Sequence, residues 1–367
     1  MVEEKTMNKK QFLRFVAFTV ASLMTIILIC DLFEGENTHN YDQNMYTYRN
    51  LPDGTIDAVF LGTSGADRFW IAPKAYEEYG ISLYNLSYDA FPAWLYTNIL
   101  DEIDGMQDTK LILIDIRAFF QSNTRLDRVE IRARRYIDSL PFFSANRIDA
   151  AFETMKILHE ANPEEFEEFD PSYLFSFIKY HTMWADEYSL YENLGSKKQK
   201  YGSYYMDNND IVKRKKQEKK VFTDKHHSLD PVTEAALYEL IDYIKEHDLN
   251  VLFVDTPQIL GKYEMRRANT VYDILEENGL NYIHFFKKGS SDFTIDLDHD
   301  KDFFDTSHVN YYGAEKVTDA LAEYINENYD LPDARENEIA AKFWNGKYKK
   351  LKKAIAELED EEAKRKK

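Results

Sequence analysis

The chain has 367 residues, 44% of them hydrophobic and 30% charged, enough to bury a sizeable core. That excludes a wholly disordered chain and a protein of many membrane spans. A formal charge of −19 opposes a phosphate backbone and argues against general nucleic-acid binding. The single cysteine, Cys30, excludes a disulfide framework and a cysteine-based zinc site.

Residues 15–30 (FVAFTVASLMTIILIC) carry no charge. With their flanks, 12–33 make about 33 Å of helix, against a hydrocarbon core of roughly 30 Å. Lys5, Lys9, Lys10 and Arg14 precede the run and acidic residues follow it. The positive-inside rule then predicts a cytoplasmic tail over 1–11, a transmembrane anchor over 12–33 and the rest of the chain outside the cell membrane. A cleaved signal peptide would want a small-x-small site after the run, and a lipoprotein signal a small residue in place of Ile29. A buried core helix would show a polar face, which this run lacks.

Residues 34–54 are polar and rich in Asn and Tyr and read as a juxtamembrane linker. From 55 to 330 short apolar runs alternate with helical patterns. The runs are 56–61 (IDAVFL), 81–86 (ISLYNL), 110–116 (KLILIDI), 249–255 (LNVLFVD) and 280–285 (LNYIHF), with a helix over 264–278 between the last two. This pattern predicts an α/β fold, a doubly wound parallel sheet of five strands. Between the third and fourth runs, residues 118–230 are too many for a loop and read as a mostly helical insertion. The basic run 213–220 inside it reads as a solvated face, with contact to an anionic lipid or polymer as the alternative. The tail, 331–367, is charged and helical, with Trp344, Tyr348, Leu351 and Ile355 on one face.

Two segments carry chemistry. Leu61-Gly62-Thr63-Ser64-Gly65 closes the first strand, which places Ser64 on a strand-to-helix turn at the carboxyl edge of the sheet, where ligand sites occur. That position suits a nucleophile, but the motif alone better suits a residue that caps the next helix. Asp305-Thr306-Ser307-His308, followed by Asn310, Gly313 and Ala314, precedes the last helix of the sheet domain. An aspartate three residues before a histidine can hold its ring, leaving the other nitrogen for a nucleophile; a surface Asp-x-x-His is the alternative. Asp296, Asp298, Asp300 and Asp302 alternate like a calcium loop, but Lys301 stands where glycine is wanted and Ser307 where a bidentate Glu is wanted, so no metal is inferred. His226-His227 has no partner spacing. No Gly-x-Gly-x-x-Gly and no P-loop occur, so no cofactor is expected.

A serine after the first strand and Asp-x-x-His before the last helix, in that order, resemble the SGNH/GDSL hydrolase superfamily. Within it the chain is most similar to the membrane-anchored, DltD-like cell-envelope branch. The segments that carry the likeness are FLGTSGADRFWIAP, LYNLSYDAFP, LILIDIRAFF, IKYHTMW, VLFVDTP and FFDTSHVNYYGAEKVTDAL. The resemblance spans roughly 55–328 plus the anchor. It implies Ser64 as nucleophile, His308 as general base and Asp305 as its orienter. It implies Gly65, Ala90 and His181 as oxyanion-hole or substrate contacts, Ala90 standing near the place of a glycine. His181, in Tyr180-His181-Thr182-Met183-Trp184, equally suits a structural role under a lid. The chain departs from the pattern after the third strand. The expected asparagine is absent and the sequence reads Asp115-Ile116-Arg117-Ala118, which implies a reduced oxyanion hole.

The resulting expectation is an extracytoplasmic serine esterase or acyl-transfer protein of a bacterial envelope, acting on small acyl esters of a polysaccharide or teichoic-acid-like polymer. By the same resemblance a membrane-bound O-acyltransferase is the natural partner. The alternative is a catalytically silent glycan-binding or scaffold protein beside such an acyltransferase, which the missing asparagine favours. A third reading is a purely structural envelope protein.

Overall fold

The computed structural model describes residues 7–33, 38–121, 126–182, 211, 223–258, 260–285, 295–298 and 300–365. The chain divides into two compact units, Met1–Asp42 with Arg134–Lys198, and Gln43–Ala133 with Gln199–Lys367.

The larger unit is built on five parallel strands: β1 Ala58–Gly62, β2 Leu83–Ser87, β3 Leu111–Asp115, β4 Val251–Asp255 and β5 Asn281–His284. Each lies within one of the five apolar runs or is offset from it by a residue or two. The first four are buried along their whole length, which is why they read as continuous apolar stretches and not as alternating ones. Their order is β2-β1-β3-β4-β5. The chain leaves β1 toward one side of the sheet and β3 toward the other, so the carboxyl ends of these neighbours flank a topological switch point. The register sets Gly62 beside Ser87, and Leu61 beside Ile114.

One expectation changes. Residues 34–54 are not simply a linker, because Thr38–Asn50 is a helix. Its polar residues are used: the Asn44 amide donates to the Asn85 carbonyl at 2.9 Å, the Tyr84 hydroxyl donates to the Asn44 carbonyl, and Arg49 pairs with Glu102 at 2.7 Å, while Met45 and Tyr48 are buried. The composition looked like that of a linker because these bonds substitute for an apolar face. The tail is two helices, Glu338–Trp344 and Lys347–Arg365, broken at Gly346, whose φ is +76°. Trp344, Tyr348 and Ile355 are buried; Trp344 stacks on Tyr76 with 6.0 Å between ring centres.

The smaller unit contains the N-terminal helix Lys9–Leu32, long and apolar enough to cross a membrane by length and composition. It also contains residues 134–182 of the insertion, with the end of Leu126–Ser139 and the helices Ala145–Ala161 and Ser176–Tyr180. Its buried charges are paired. Arg147 meets Asp138 at 2.9 Å and donates to the Ile137 carbonyl, and Arg134 meets Asp170 at 2.7 Å and lies over the Tyr173 ring. The basic run 213–220 and Trp184 fall outside the described residues.

Candidate active site

β1 ends in a turn that only glycine fits. A Cβ on Gly62 would lie 2.6 Å from the Cβ of Asp115 and 2.8 Å from that of Ala66. The next residue, Thr63, caps the helix Ser64–Phe69. Its side chain accepts from the Gly65 N–H at 3.3 Å and donates to Asp115 Oδ2 at 2.7 Å. The capping role considered for Ser64 therefore belongs to Thr63. The Ser64 hydroxyl lies instead 2.8 Å from His308 Nε2.

His308 is held from both sides. Its Nδ1 lies 3.0 and 3.1 Å from the two oxygens of Asp305, and the Phe304 ring stacks on it with 5.4 Å between centres. Asp305 Oδ1 also accepts the main-chain N–H groups of Ser307 and His308, at 2.7 and 2.8 Å, which folds the loop back on its own carboxylate. Burial alone would raise the Asp305 carboxyl. The His308 hydrogen bond, the imidazole's field and the two N–H groups outweigh it and hold the group below the ordinary carboxylate value. An ionised Asp305 can only accept, so Nδ1 carries the proton and Nε2 is left to accept from Ser64. The His308 and Asp305 side chains are 20% and 38% exposed, so this chain of bonds opens to solvent at one end.

The rest of the motif shapes the loop. Asn310 caps the helix Tyr311–Asn328 by accepting from Gly313 N–H at 3.0 Å, and its amide donates to the Lys301 carbonyl. A Cβ on Gly313 would collide with the Asp302 carbonyl oxygen, so a glycine is required where that helix starts. Asp302 is buried and pairs with Lys316 at 2.7 Å; Asp298 pairs with Lys301 at 2.6 Å. The aspartates that alternate through this loop are thus part of its scaffolding, and no metal-holding cluster of His, Cys, Asp or Glu occurs among the described residues. His226 pairs with Asp273, exposed.

Beneath Ser64 lies a polar floor. Asp115, fully buried at the end of β3, accepts from Thr63, from the Arg117 main-chain N–H and from the Thr256 hydroxyl at 3.1 Å. Arg117, only 2% exposed, stands where the asparagine was expected. Its guanidinium donates to Thr256 at 3.2 Å and presses on Gly65, whose Cβ would lie 2.9 Å from Arg117 Cζ. Burial pulls this guanidinium below its usual value, against the opposing fields of Asp115, Asp255 and Asp305. Gly65 is therefore a close-packing residue above a buried cation.

Ala90 lies three residues past the end of β2, beside β1 in the sheet. Its φ is +45°, the left-handed region that favours glycine. The backbone there adopts a conformation that favours glycine while the residue is alanine. His181 belongs to the smaller unit. It is exposed, with Nδ1 2.9 Å from the Ile178 carbonyl.

The floor residues Asp115, Thr256 and Asp255 were not singled out from the sequence. The signal was there: two fully apolar strands, LILID and VLFVD, both end in aspartate. A carboxylate closing a buried strand at the edge where sites form is worth marking.

No family model matches the chain, and no curated protein matches its sequence.

Proposed function

We propose that the chain is a membrane-anchored serine esterase or acyl-transfer protein of the SGNH type, acting outside the cell on small acyl esters of an envelope polymer. The observation that carries this reading is the unbroken relay from Ser64 Oγ through both ring nitrogens of His308 to Asp305. Strand order and position support it, since Ser64 follows β1 at the switch point of the sheet.

In this mechanism Ser64 Oγ attacks the acyl carbonyl and His308 Nε2 takes its proton. Asp305 stabilises the imidazolium that forms. The oxyanion is met by main-chain N–H groups near Ser64 and Ala90, with the charge of Arg117 behind Gly65. Collapse releases the alcohol, which takes the proton from His308. Water or a glycan hydroxyl then attacks the acyl-serine, with His308 again accepting and returning the proton. The N-terminal helix would hold this site at the outer face of the membrane, beside a membrane-bound O-acyltransferase.

The test is release of nitrophenol from short-chain nitrophenyl esters by the wild type, Ser64→Ala and His308→Ala. Turnover lost in both variants supports the reading. Equal turnover in all three proteins refutes it.

A further inference from the structure

The last turn of the N-terminal helix does not end free. Within the smaller unit, the Ser176 hydroxyl donates to the Cys30 carbonyl at 2.8 Å, and Cys30 is buried there. The apolar side chains before it are largely open, Phe18 and Leu28 among them. From this seat a row of aromatic rings runs outward. Phe177 meets Phe175 at 6.3 Å, Phe175 meets Phe142 at 6.1 Å, and Phe142 meets Phe143 edge-on at 5.0 Å. The row ends on Phe143, 64% exposed, and Ile178 beside Phe177 is exposed as well.

The position of Cys30 decides what covers this row. It lies two residues from the end of the helix, about 3 Å along its axis. A helix of this length that crosses a bilayer must bring Cys30 to the boundary between hydrocarbon and headgroups. Ser176 is bonded to it, so the ring row begins at that depth. Aromatic rings are enriched in that layer, where one side is apolar and the other wet. A second exposed pair, Phe152 stacked on Phe169, differs: Glu164, Glu165, Glu167 and Glu168 stand just before Phe169, and an anionic leaflet repels them.

We infer that Phe142, Phe143, Phe175, Phe177 and Ile178 form a collar embedded in the lipid headgroup layer on the side where the N-terminal helix emerges, and that Phe152 and Phe169 stay in water. The collar would fix the insertion on the membrane surface. It rests on the reading of the N-terminal helix as a membrane span.

Cys30 is the only cysteine, so the test uses the full chain in a Cys30→Ser background with single cysteines in place of Leu23, Phe143, Phe169 or Ile178. Each is spin-labelled and reconstituted into vesicles of phosphatidylcholine and phosphatidylglycerol in equal parts, and collisions with oxygen and with a water-soluble nickel chelate are compared. The expected result is a label at 23 deep in the hydrocarbon, labels at 143 and 178 several-fold less accessible to nickel than the label at 169, and 169 fully aqueous. Labels at 143 and 178 as accessible as 169, with 23 still deep, would overturn the collar and leave the anchor standing. A label at 23 open to nickel would overturn the anchor, and the collar with it.

Discussion

Ser64 and His308 stand 244 positions apart in the chain and 2.8 Å apart in space. The sheet makes this possible. Ser64 follows β1 and His308 lies on the stretch between β5 and the helix Tyr311–Asn328, so both reach the carboxyl edge of one parallel sheet. The chain of bonds continues from the His308 ring to Asp305 at 3.0 and 3.1 Å.

The relay predicts unequal costs. Ser64→Ala and His308→Ala should each lower ester turnover by about 10⁴-fold or more, and the double variant little further, because the two act as one unit. Asp305→Asn should cost about 10²–10⁴-fold, since it disturbs the tautomer of His308 without removing it. Steady-state rates with a nitrophenyl ester check all four; additive losses in the double variant would contradict a shared step.

The pH dependence of stability follows from Asp305. Its carboxyl is held below the ordinary value, so its contribution is fully present above an unfolded value of about 3.9 and is lost as pH falls through the lower, folded value. The stability difference between wild type and Asp305→Asn should shrink as pH falls below about 4. Urea unfolding at a series of pH values measures it. A difference that grows on acidification would contradict the sign.

Ala90 is strained by its φ of +45°. Relief of left-handed strain gives about 1–2 kcal/mol to Ala90→Gly, and the greater freedom of glycine in the unfolded chain offsets about 0.4–1 kcal/mol. Ala90→Gly should thus be neutral to stabilising, by at most about 1.6 kcal/mol. Ala90→Val, β-branched at positive φ, should destabilise. The denaturant midpoint should fall in Ala90→Val and not in Ala90→Gly.

Arg117 is a buried cation that feels the fields of buried Asp115 and Asp255. Arg117→Met leaves those carboxylates without it and should cost about 3–5 kcal/mol, with Arg117→Lys recovering part. Gly65→Ala should also destabilise, because the new methyl meets Thr256 and the guanidinium. Chemical denaturation of the three variants measures this; Arg117→Met as stable as the wild type would show that the floor does not need the charge.

How much of this was legible follows the physics of each segment. Buried parallel strands leave continuous apolar runs, so all five strands and their order of appearance could be read. Ser64 and the Asp305–His308 loop could each be marked from a turn at the sheet edge, but neither local pattern pairs them; their order in the chain and its resemblance to the SGNH/GDSL pattern do. The helix Thr38–Asn50 was hidden because its seat is made of hydrogen bonds from Asn44 and Arg49, which composition scores as a linker. The capping role of Thr63 was hidden because Thr63 and Ser64 are both good caps, and only their partners in space, Gly65 N–H for Thr63 and His308 for Ser64, distinguish them. The place of Arg117 under Gly65 joins β3 to the turn after β1, a contact no local pattern encodes.

The most direct measurement is covalent. The full chain is treated with a fluorophosphonate, which captures an activated serine, and the adduct is located by peptide mass spectrometry. One adduct on Ser64, absent in Ser64→Ala and formed far more slowly in His308→Ala, is the predicted result. A folded wild-type protein that gives no adduct on Ser64, or labels Ser64 equally fast without His308, would contradict the account.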